Sequence, residues 1–469
     1  MIGDELDSDV VVRYFRGKSI LITGSTGFLG KVLVEKILRV QPDVKKLFLL
    51  VRAADDESAK QRVETEVTGK EIFQVLKEKH GNGFEGFVQE KICPLPGDVM
   101  HENLGLGAAK LRQVCKEIDI VVNGAATTNF YERYDVAFDT NVMGAKHICE
   151  FAKRCSKLKM LLHVSTAYVA GEQEGVVLEK PFRLGETLRE GTHLDIESEL
   201  NLIKETRREL KASRCSEKAE RRSMKELGLK RAREFGWPNT YVFTKEPLPG
   251  WMEGIRTIDS FIIGYAKQAL SIFLVDLDLI MDVIPGDMVV NAMMVAMAAH
   301  SEERGQQTSI YHLTSSVRHP APYAVLAECG RRYFLHNPLR SGGKNSEPVR
   351  PSRMRFFRTL PGFRAYMAIK FRLPLEILRL LNIVLCGALS RRHDELSRKY
   401  RYVMHIAELY APYSLFKGCF DDSNTERLRA AMANRSSGYD FGFDPLCVDW
   451  DDYFYRVHIP GVVKYLCGY

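Results

Sequence analysis

Five short apolar runs recur through the first third of the chain: Ser19–Thr23, Lys46–Arg52, Phe87–Pro94, Ile118–Gly124 and Lys159–Ser165. Helix-like stretches separate them, as in Lys31–Leu38, where apolar positions recur at helical spacing. Strands that are apolar on nearly every residue are buried on both faces, and helices between them supply the cover. The pattern therefore predicts an α/β architecture: a Rossmann-type, doubly wound parallel sheet. Residues 186–235 break the pattern with dense charge, including a basic helical stretch at Lys218–Arg233, and read as a solvated surface insertion. The polar stretch 336–352 reads as a linker. It divides a first domain, 13–330, from a smaller, mainly helical C-terminal domain, 353–469. No internal repeat is evident.

Composition narrows the class. The chain has 469 residues, 45% hydrophobic and 27% charged, with a net charge of +7. This is an ordinary globular balance with a mild attraction for anions, and no nucleic-acid motif accompanies it. The ten cysteines form no CxxC pair, which argues for reduced thiols in a cytosolic setting and against a zinc site. The acidic start Met1–Asp7 does not read as a secretory or transit segment. Phe261–Pro285 is interrupted by Lys267, Asp276, Asp278 and Asp282, so it falls short of a membrane span. Leu380–Leu389 is too short for one. Flanked by Arg372, Arg379, Arg391 and Arg392, it reads first as a buried helix and second as a segment resting on a membrane.

The densest chemistry follows the first strand. Gly24, Ser25, Thr26, Gly27, Phe28, Leu29 and Gly30 join that strand to a helix. Three spaced glycines in this context permit a tight turn, close backbone approach to a pyrophosphate and tight packing of helix on strand, which together make a dinucleotide site. Arg52 closes the second strand, where a dinucleotide fold discriminates its ribose; an arginine there suits the 2′-phosphate of NADPH, or is simply a solvated strand end. After the third strand, Asp98 in Gly97-Asp98-Val99 either accepts from the adenine amino group or caps a turn. Asn123-Gly124-Ala125-Ala126 ends the fourth strand with small residues that leave room for a cofactor. Ser165 and Thr166 end the fifth. Tyr241 and Lys245 stand four apart and so share a helix face. A lysine there lowers the tyrosine's pKa and lets it transfer a proton near neutrality, while a hydroxyl of Thr166 or Ser165 orients a carbonyl.

These motifs together resemble the extended short-chain dehydrogenase/reductases, and more narrowly the fatty acyl-CoA reductases of the plant male-sterility type. The resemblance runs through Lys18–Gly30, Leu49–Arg52, His163–Tyr168, Tyr241–Lys245, Val283–Ala292, Ser315–Arg318, Phe441–Pro445 and His458–Gly461. It implies that NADPH reduces the thioester of a long-chain acyl-CoA, that CoA leaves, and that a second NADPH reduces the aldehyde to a primary alcohol. By the same resemblance Tyr241 is the general acid, Lys245 tunes it and holds the ribose, and Thr166 or Ser165 binds the carbonyl oxygen. Val99, Ala125 and Asn141 join the positions expected at the cofactor. Relatives of this type associate with the endoplasmic reticulum, facing the cytosol. An extended reductase acting on another carbonyl, such as a steroid or nucleotide-sugar, is the alternative.

One departure stands out. Lys245 runs directly into Glu246-Pro247-Leu248-Pro249, and prolines so placed cannot continue a helix. Relative to the family's pattern, roughly one helix and one strand are missing there. No apolar run between Lys245 and Phe261 supplies a sixth strand, so the sheet is expected to end in an exposed edge beside the nicotinamide. A shortened, catalytically impaired form that retains nucleotide binding is therefore a further alternative.

Overall fold

The computed structural model describes residues 6–244, 257–267, 270–301, 308–339, 354–432 and 439–466. Five parallel strands form the central sheet: β1 (Ser19–Thr23), β2 (Lys46–Val51), β3 (Ile92–Pro96), β4 (Ile120–Asn123) and β5 (Met160–His163). Their order is β3-β2-β1-β4-β5, the doubly wound arrangement the apolar pattern predicts. Alternation along each strand sorts the side chains. Ile20, Ile22, Leu47, Leu49 and Val122 pack on one face against Leu33, Val34 and Ile37 of helix α1 (Phe28–Val40). Leu21, Phe48, Leu50 and Val121 pack on the other against Val114, Ile148 and Phe151. Each such side chain contributes about 1.5–3 kcal/mol when fully buried.

The third strand begins later than its apolar run suggests. Phe84–Lys91 is a helix, and β3 starts at Ile92. Phe84, Phe87 and Val88 stand at helical spacing and lie partly buried against the core, so period 3.6 prevails up to Lys91. Pro94 and Pro96 are tolerated because β3 is an edge strand, bonded only to β2.

The charged insertion is not merely solvated. It forms two helices, α2 (Ile196–Ala212) and α3 (Glu217–Glu234), and α3 leans on the short helix α4 (Thr240–Phe243). Buried Glu199 and half-buried Arg231 pair with each other across them, and Tyr134 donates to Glu199 at 2.6 Å. Two charges that satisfy one another can be buried, a fact that composition does not reveal.

The C-terminal region is mainly helical but not separate. Phe441 and Phe443 belong to the same core as β1 and α1. Lys36 of α1 donates to the Asp440 carbonyl at 3.1 Å, and Asn291 of α5 (Gly286–Ala299) donates to the Gly442 carbonyl at 2.7 Å. Arg318 grips Asp444 through two bonds of 2.8 and 2.9 Å. The expected linker lies for the most part outside the described residues, as does the junction after Lys245. Among the described residues the sheet ends at β5, whose four side chains are only half-buried.

Phe261–Pro285 divides among a helix ending at Ala266 and two short strands. The run Leu380–Leu389, expected as a buried helix, is exposed. It spans the end of α6 (Leu373–Val384) and the turn into α7 (Ser390–Ser414), and α6 has no buried residue. Among the described residues no helix is long and apolar enough to cross a membrane, and no cluster of side chains could hold a metal ion.

Candidate active site

The glycine turn sits at the carboxyl end of β1, at the crevice between β1 and β4 where the order of the sheet reverses. Gly24 has φ +70°, and a Cβ there would lie 2.5 Å from the Gly124 carbonyl oxygen. A Cβ on Gly30 would lie 2.3 Å from the Gly24 oxygen. Neither position admits a side chain. Gly27 caps α1 without a side-chain acceptor, so the helix start offers backbone N–H groups to an anion. Ser25 is fully buried, and its Oγ has no hydrogen-bond partner among the described residues. A cleft of about 390 Å³ opens between this turn, Gly124 and Val164. A dinucleotide fits these residues: the glycines leave the space and Ser25 holds an unspent polar atom. Thr26 and Leu29 are half-buried along the turn, and Phe28 lies over Gly286, where a Cβ would meet its ring at 2.2 Å.

Arg52 stands exposed just past β2, and its guanidinium makes no hydrogen bond or ion pair within the described residues. Arg62 reaches the same spot, donating to the Arg52 carbonyl at 2.7 Å while pairing with Glu66 at 3.0 Å. Asp98 accepts from the Met100 N–H at 3.0 Å, which is the turn-capping geometry. Buried Val99 packs against Gly144, and its carbonyl accepts from His147 Nδ1 at 2.8 Å.

A polar relay across the strand ends was not foreseen from the sequence. Thr23 donates to Asn123 Oδ1 at 2.7 Å and accepts from the N–H groups of Gly124 and Ala125, each at 3.1 Å. Asn123 Nδ2 lies 3.3 Å from His163 Nδ1. One hydroxyl thus fixes the β4 loop against the glycine turn. The sequence signal is that three of the strands, β1, β4 and β5, each end in a polar residue, Thr23, Asn123 and His163.

The proton-transfer candidates gather at the other end of the cleft. Ser165 is exposed; Thr166 is half-buried and accepts from the Tyr168 N–H at 3.3 Å, leaving its own proton to donate. The turn Ala167–Ala170 that follows packs against α4. Trp237 Nε1 donates to the Val169 carbonyl at 2.8 Å and holds the two together. α4 carries buried Tyr241, capped by Asn239, whose Oδ1 accepts from the Val242 N–H at 3.2 Å. Asn141 lies in a π-helical turn, Phe138–Met143, a distortion often found at functional sites. Its amide accepts from Thr127 N–H at 3.0 Å and donates to Thr127 O at 3.2 Å and Thr244 Oγ1 at 3.1 Å. Asn141 therefore staples the β4 loop to the segment bearing Tyr241. Lys245 lies outside the described residues.

An apolar cavity of about 450 Å³ adjoins this end. Phe261, Phe273, Leu326, Phe356, Tyr410 and Tyr413 line it. The Tyr241 ring lies 5.1 Å from Phe130, which stacks on Tyr413 at 4.9 Å. Asn239 donates to the Tyr413 hydroxyl at 2.9 Å. Burial pushes the Tyr413 phenol well above its ordinary pKa, so it stays neutral.

Comparison with known proteins agrees with this geometry. Residues 22–246 and 244–293 match an NAD-binding model described as male sterility protein, and residues 370–468 match a second model of the same description. The first region is thus a nicotinamide-dinucleotide-binding domain. Fatty acyl-CoA reductase 1 of Arabidopsis thaliana is 45% identical over 488 positions, covering 97% of this chain and 98% of that protein. The alcohol-forming fatty acyl-CoA reductase of Simmondsia chinensis is 43% identical over 487 positions, with the same coverage. Among solved structures, the reductase domain of a nonribosomal peptide synthetase from Mycobacterium tuberculosis superposes with a TM-score of 0.51 at 18% identity, over 99% of this chain and 96% of that one, a likeness of fold.

Proposed function

The chain belongs to the male sterility family, the fatty acyl-CoA reductases, and from that premise we propose that it reduces long-chain fatty acyl-CoA to the primary alcohol with NADPH. The observation that carries the reading is the aromatic row Tyr241–Phe130–Tyr413, which sets a buried phenol beside an aromatic-lined apolar cavity.

Bound nicotinamide supplies hydride to the carbonyl carbon. The chain's own groups manage the oxygen. The Thr166 hydroxyl donates to the carbonyl oxygen and orients it, and Tyr241 delivers the proton as charge develops there. Lys245 has the family's role of lowering the phenol's pKa. Asn141 and Asn239 hold the α4 segment in register with the cleft. The cavity takes the acyl chain, and the basic balance of the chain suits the phosphates of CoA. Arg52, with Arg62 behind it, favours the 2′-phosphate of NADPH over NADH. The setting proposed is the cytosolic face of the endoplasmic reticulum.

Incubating the full chain with palmitoyl-CoA and NADPH tests the reading. Hexadecanol is expected, with two NADPH consumed per alcohol; NADPH consumption without alcohol or aldehyde would refute it.

One observation favours a second reading. The first family match falls in two pieces that meet at residues 244–246, and the 488 positions aligned with the Arabidopsis relative outnumber the chain's own residues. We read this as a segment present in relatives and absent here, which Pro247 and Pro249 after Lys245 support. On this reading the chain binds NADPH but turns over poorly. Titration of NADPH fluorescence beside the alcohol assay separates the two, and a chain with the relatives' segment inserted after Lys245 would regain turnover.

A further inference from the structure

Exposed apolar side chains are concentrated in one place on this molecule. Of the twenty large hydrophobic residues exposed among the described residues, eight lie between Ile369 and Leu385. Ile383 is 66% exposed and Val384 75%. α6 packs on α7 and on the turn before it, and Leu373, Ile377, Leu380 and Leu381 remain open to solvent on its remaining surface. The hairpin is a built element, not a frayed end. Asn382 accepts from the Leu389 N–H at 2.8 Å and donates to Ser390 Oγ at 3.0 Å, while its carbonyl accepts from Gly387 N–H at 2.8 Å. Gly387, at φ +89°, supplies the reversal.

The charge around this apolar surface is one-sided. From Lys370 to Arg392 the chain holds five basic residues (Lys370, Arg372, Arg379, Arg391 and Arg392) and one acidic residue, Glu376, which is engaged by Arg379 at 3.4 Å. A patch of this size is uncommon on a soluble surface without a partner. An apolar helix rimmed by arginines, too short to span a bilayer, matches an interfacial helix that sinks among lipid headgroups.

We propose that the α6–α7 hairpin docks this protein on an anionic lipid surface, with Leu380, Ile383 and Val384 inserted and Arg372, Arg391 and Arg392 on the headgroups. A protein partner would not need a cationic rim, and a second copy would set these arginines against each other. α7 then runs about 35 Å from Ser390 to Tyr413, so one helix joins the lipid contact to the apolar cavity. The surface stands whether or not the chain is an active reductase.

The test is sedimentation of the full chain with vesicles of phosphatidylcholine alone or with phosphatidylserine. The wild type is expected to sediment with the anionic vesicles. Leu380→Glu/Ile383→Glu/Val384→Glu should lower the bound fraction at least about tenfold, with melting and NADPH affinity unchanged. Arg372→Glu/Arg391→Glu should lose the preference for phosphatidylserine. Should the triple variant not fold, Val384→Trp provides a second reading: brominated phosphatidylcholine should quench the fluorescence that this substitution adds to the wild-type signal. Sedimentation equal to wild type in the triple variant, or an added signal that brominated lipid leaves unquenched, overturns the proposal. So does a wild type that ignores vesicles and forms a dimer that the triple variant splits, since a second copy would then cover the face.

Discussion

Asn141 and Thr244 are joined by a buried hydrogen bond, Nδ2 to Oγ1 at 3.1 Å. The same threonine hydroxyl donates back to the Thr240 carbonyl at 2.9 Å, so the bond reaches the helical turn that presents Tyr241. On its other side Asn141 holds both backbone groups of Thr127, in the loop after β4. The loop after β4 and the segment bearing the proposed proton donor, Tyr241, are thus positioned by one side chain.

Asn141→Ala would leave the Thr127 N–H and carbonyl without this partner in a half-buried setting, at about 1 kcal/mol each. A lower melting temperature is expected, with kcat falling more than NADPH affinity. Asn141→Asp should not rescue it, because a carboxylate oxygen would then face the Thr127 carbonyl. Kinetics and calorimetry on the two variants check this; normal kcat in either would remove Asn141 as a positioning residue.

Tyr241→Phe keeps the ring against Phe130 and deletes only the phenolic hydroxyl. Reduction should be lost while NADPH affinity stays within about a few-fold, since the glycine turn is untouched. Fluorescence titration beside the alcohol assay reads both. Equal loss of binding and turnover would give Tyr241 a structural role instead.

Arg52→Glu places a carboxylate where a 2′-phosphate is proposed to sit. The ratio of kcat/KM for NADPH over NADH should fall at least about tenfold. Arg62→Ala should move it less, because Glu66 already offsets that charge. An unchanged ratio in Arg52→Glu would take Arg52 out of the site.

The sheet was legible in the sequence because strands buried on both faces are apolar at nearly every position, and turn residues mark their ends. β3 began late because Phe84, Phe87 and Val88 carry a helical spacing that runs into a strand-like one without a break. The insertion is largely exposed, as its charge implies, but Glu199 and Arg231 count as surface charge until their mutual pairing is seen. Leu380–Leu389 differs in the opposite sense, since hydropathy alone cannot separate a residue that faces a core from one left on the surface. At the site, the glycine turn could be read because its chemistry depends on local spacing. Thr23, Asn123 and His163 could not, because their relay exists only once three distant strands are parallel.

Gly228 is a point where helix α3 meets the segment bearing Tyr241. A Cβ there would lie 2.7 Å from Thr240 Oγ1 and 3.0 Å from the Tyr134 Cβ. Gly228→Val should therefore displace α4, costing about 1–3 kcal/mol and lowering kcat. Gly228→Ala should do the same to a smaller degree, though alanine favours an exposed helix. A more stable alanine variant with full activity would show that α3 does not brace Tyr241.

Two carboxylates withdrawn from water should respond differently to neutral replacement, and one of them, Glu179, ties the C-terminal region to the rest through Asn424. Asp282 accepts from the Ser315 N–H at 3.0 Å and from the Thr314 hydroxyl, and burial raises its pKa above the ordinary 3.8. Between that value and the raised one, the native protein keeps a proton that the unfolded chain releases. Its contribution to stability is therefore full at acid pH and lost as pH rises. An asparagine can keep the Ser315 bond and donate to Thr314, whose hydroxyl turns to accept. Asp282→Asn should thus gain on the wild type in melting temperature between about pH 4 and about pH 7. Glu179 is raised by burial too, but its two oxygens accept from separate backbone donors, His312 N–H at 2.6 Å and Asn424 N–H. A glutamine would set its amide hydrogens against one of them. Glu179→Gln should therefore lose about 1–3 kcal/mol even at neutral pH, where removing a buried charge alone would help. Thermal melts of both variants across this range decide it: a gain with pH for Asp282→Asn and a net loss at neutrality for Glu179→Gln are expected, and parallel curves for the two would mean that burial, not donor geometry, governs both.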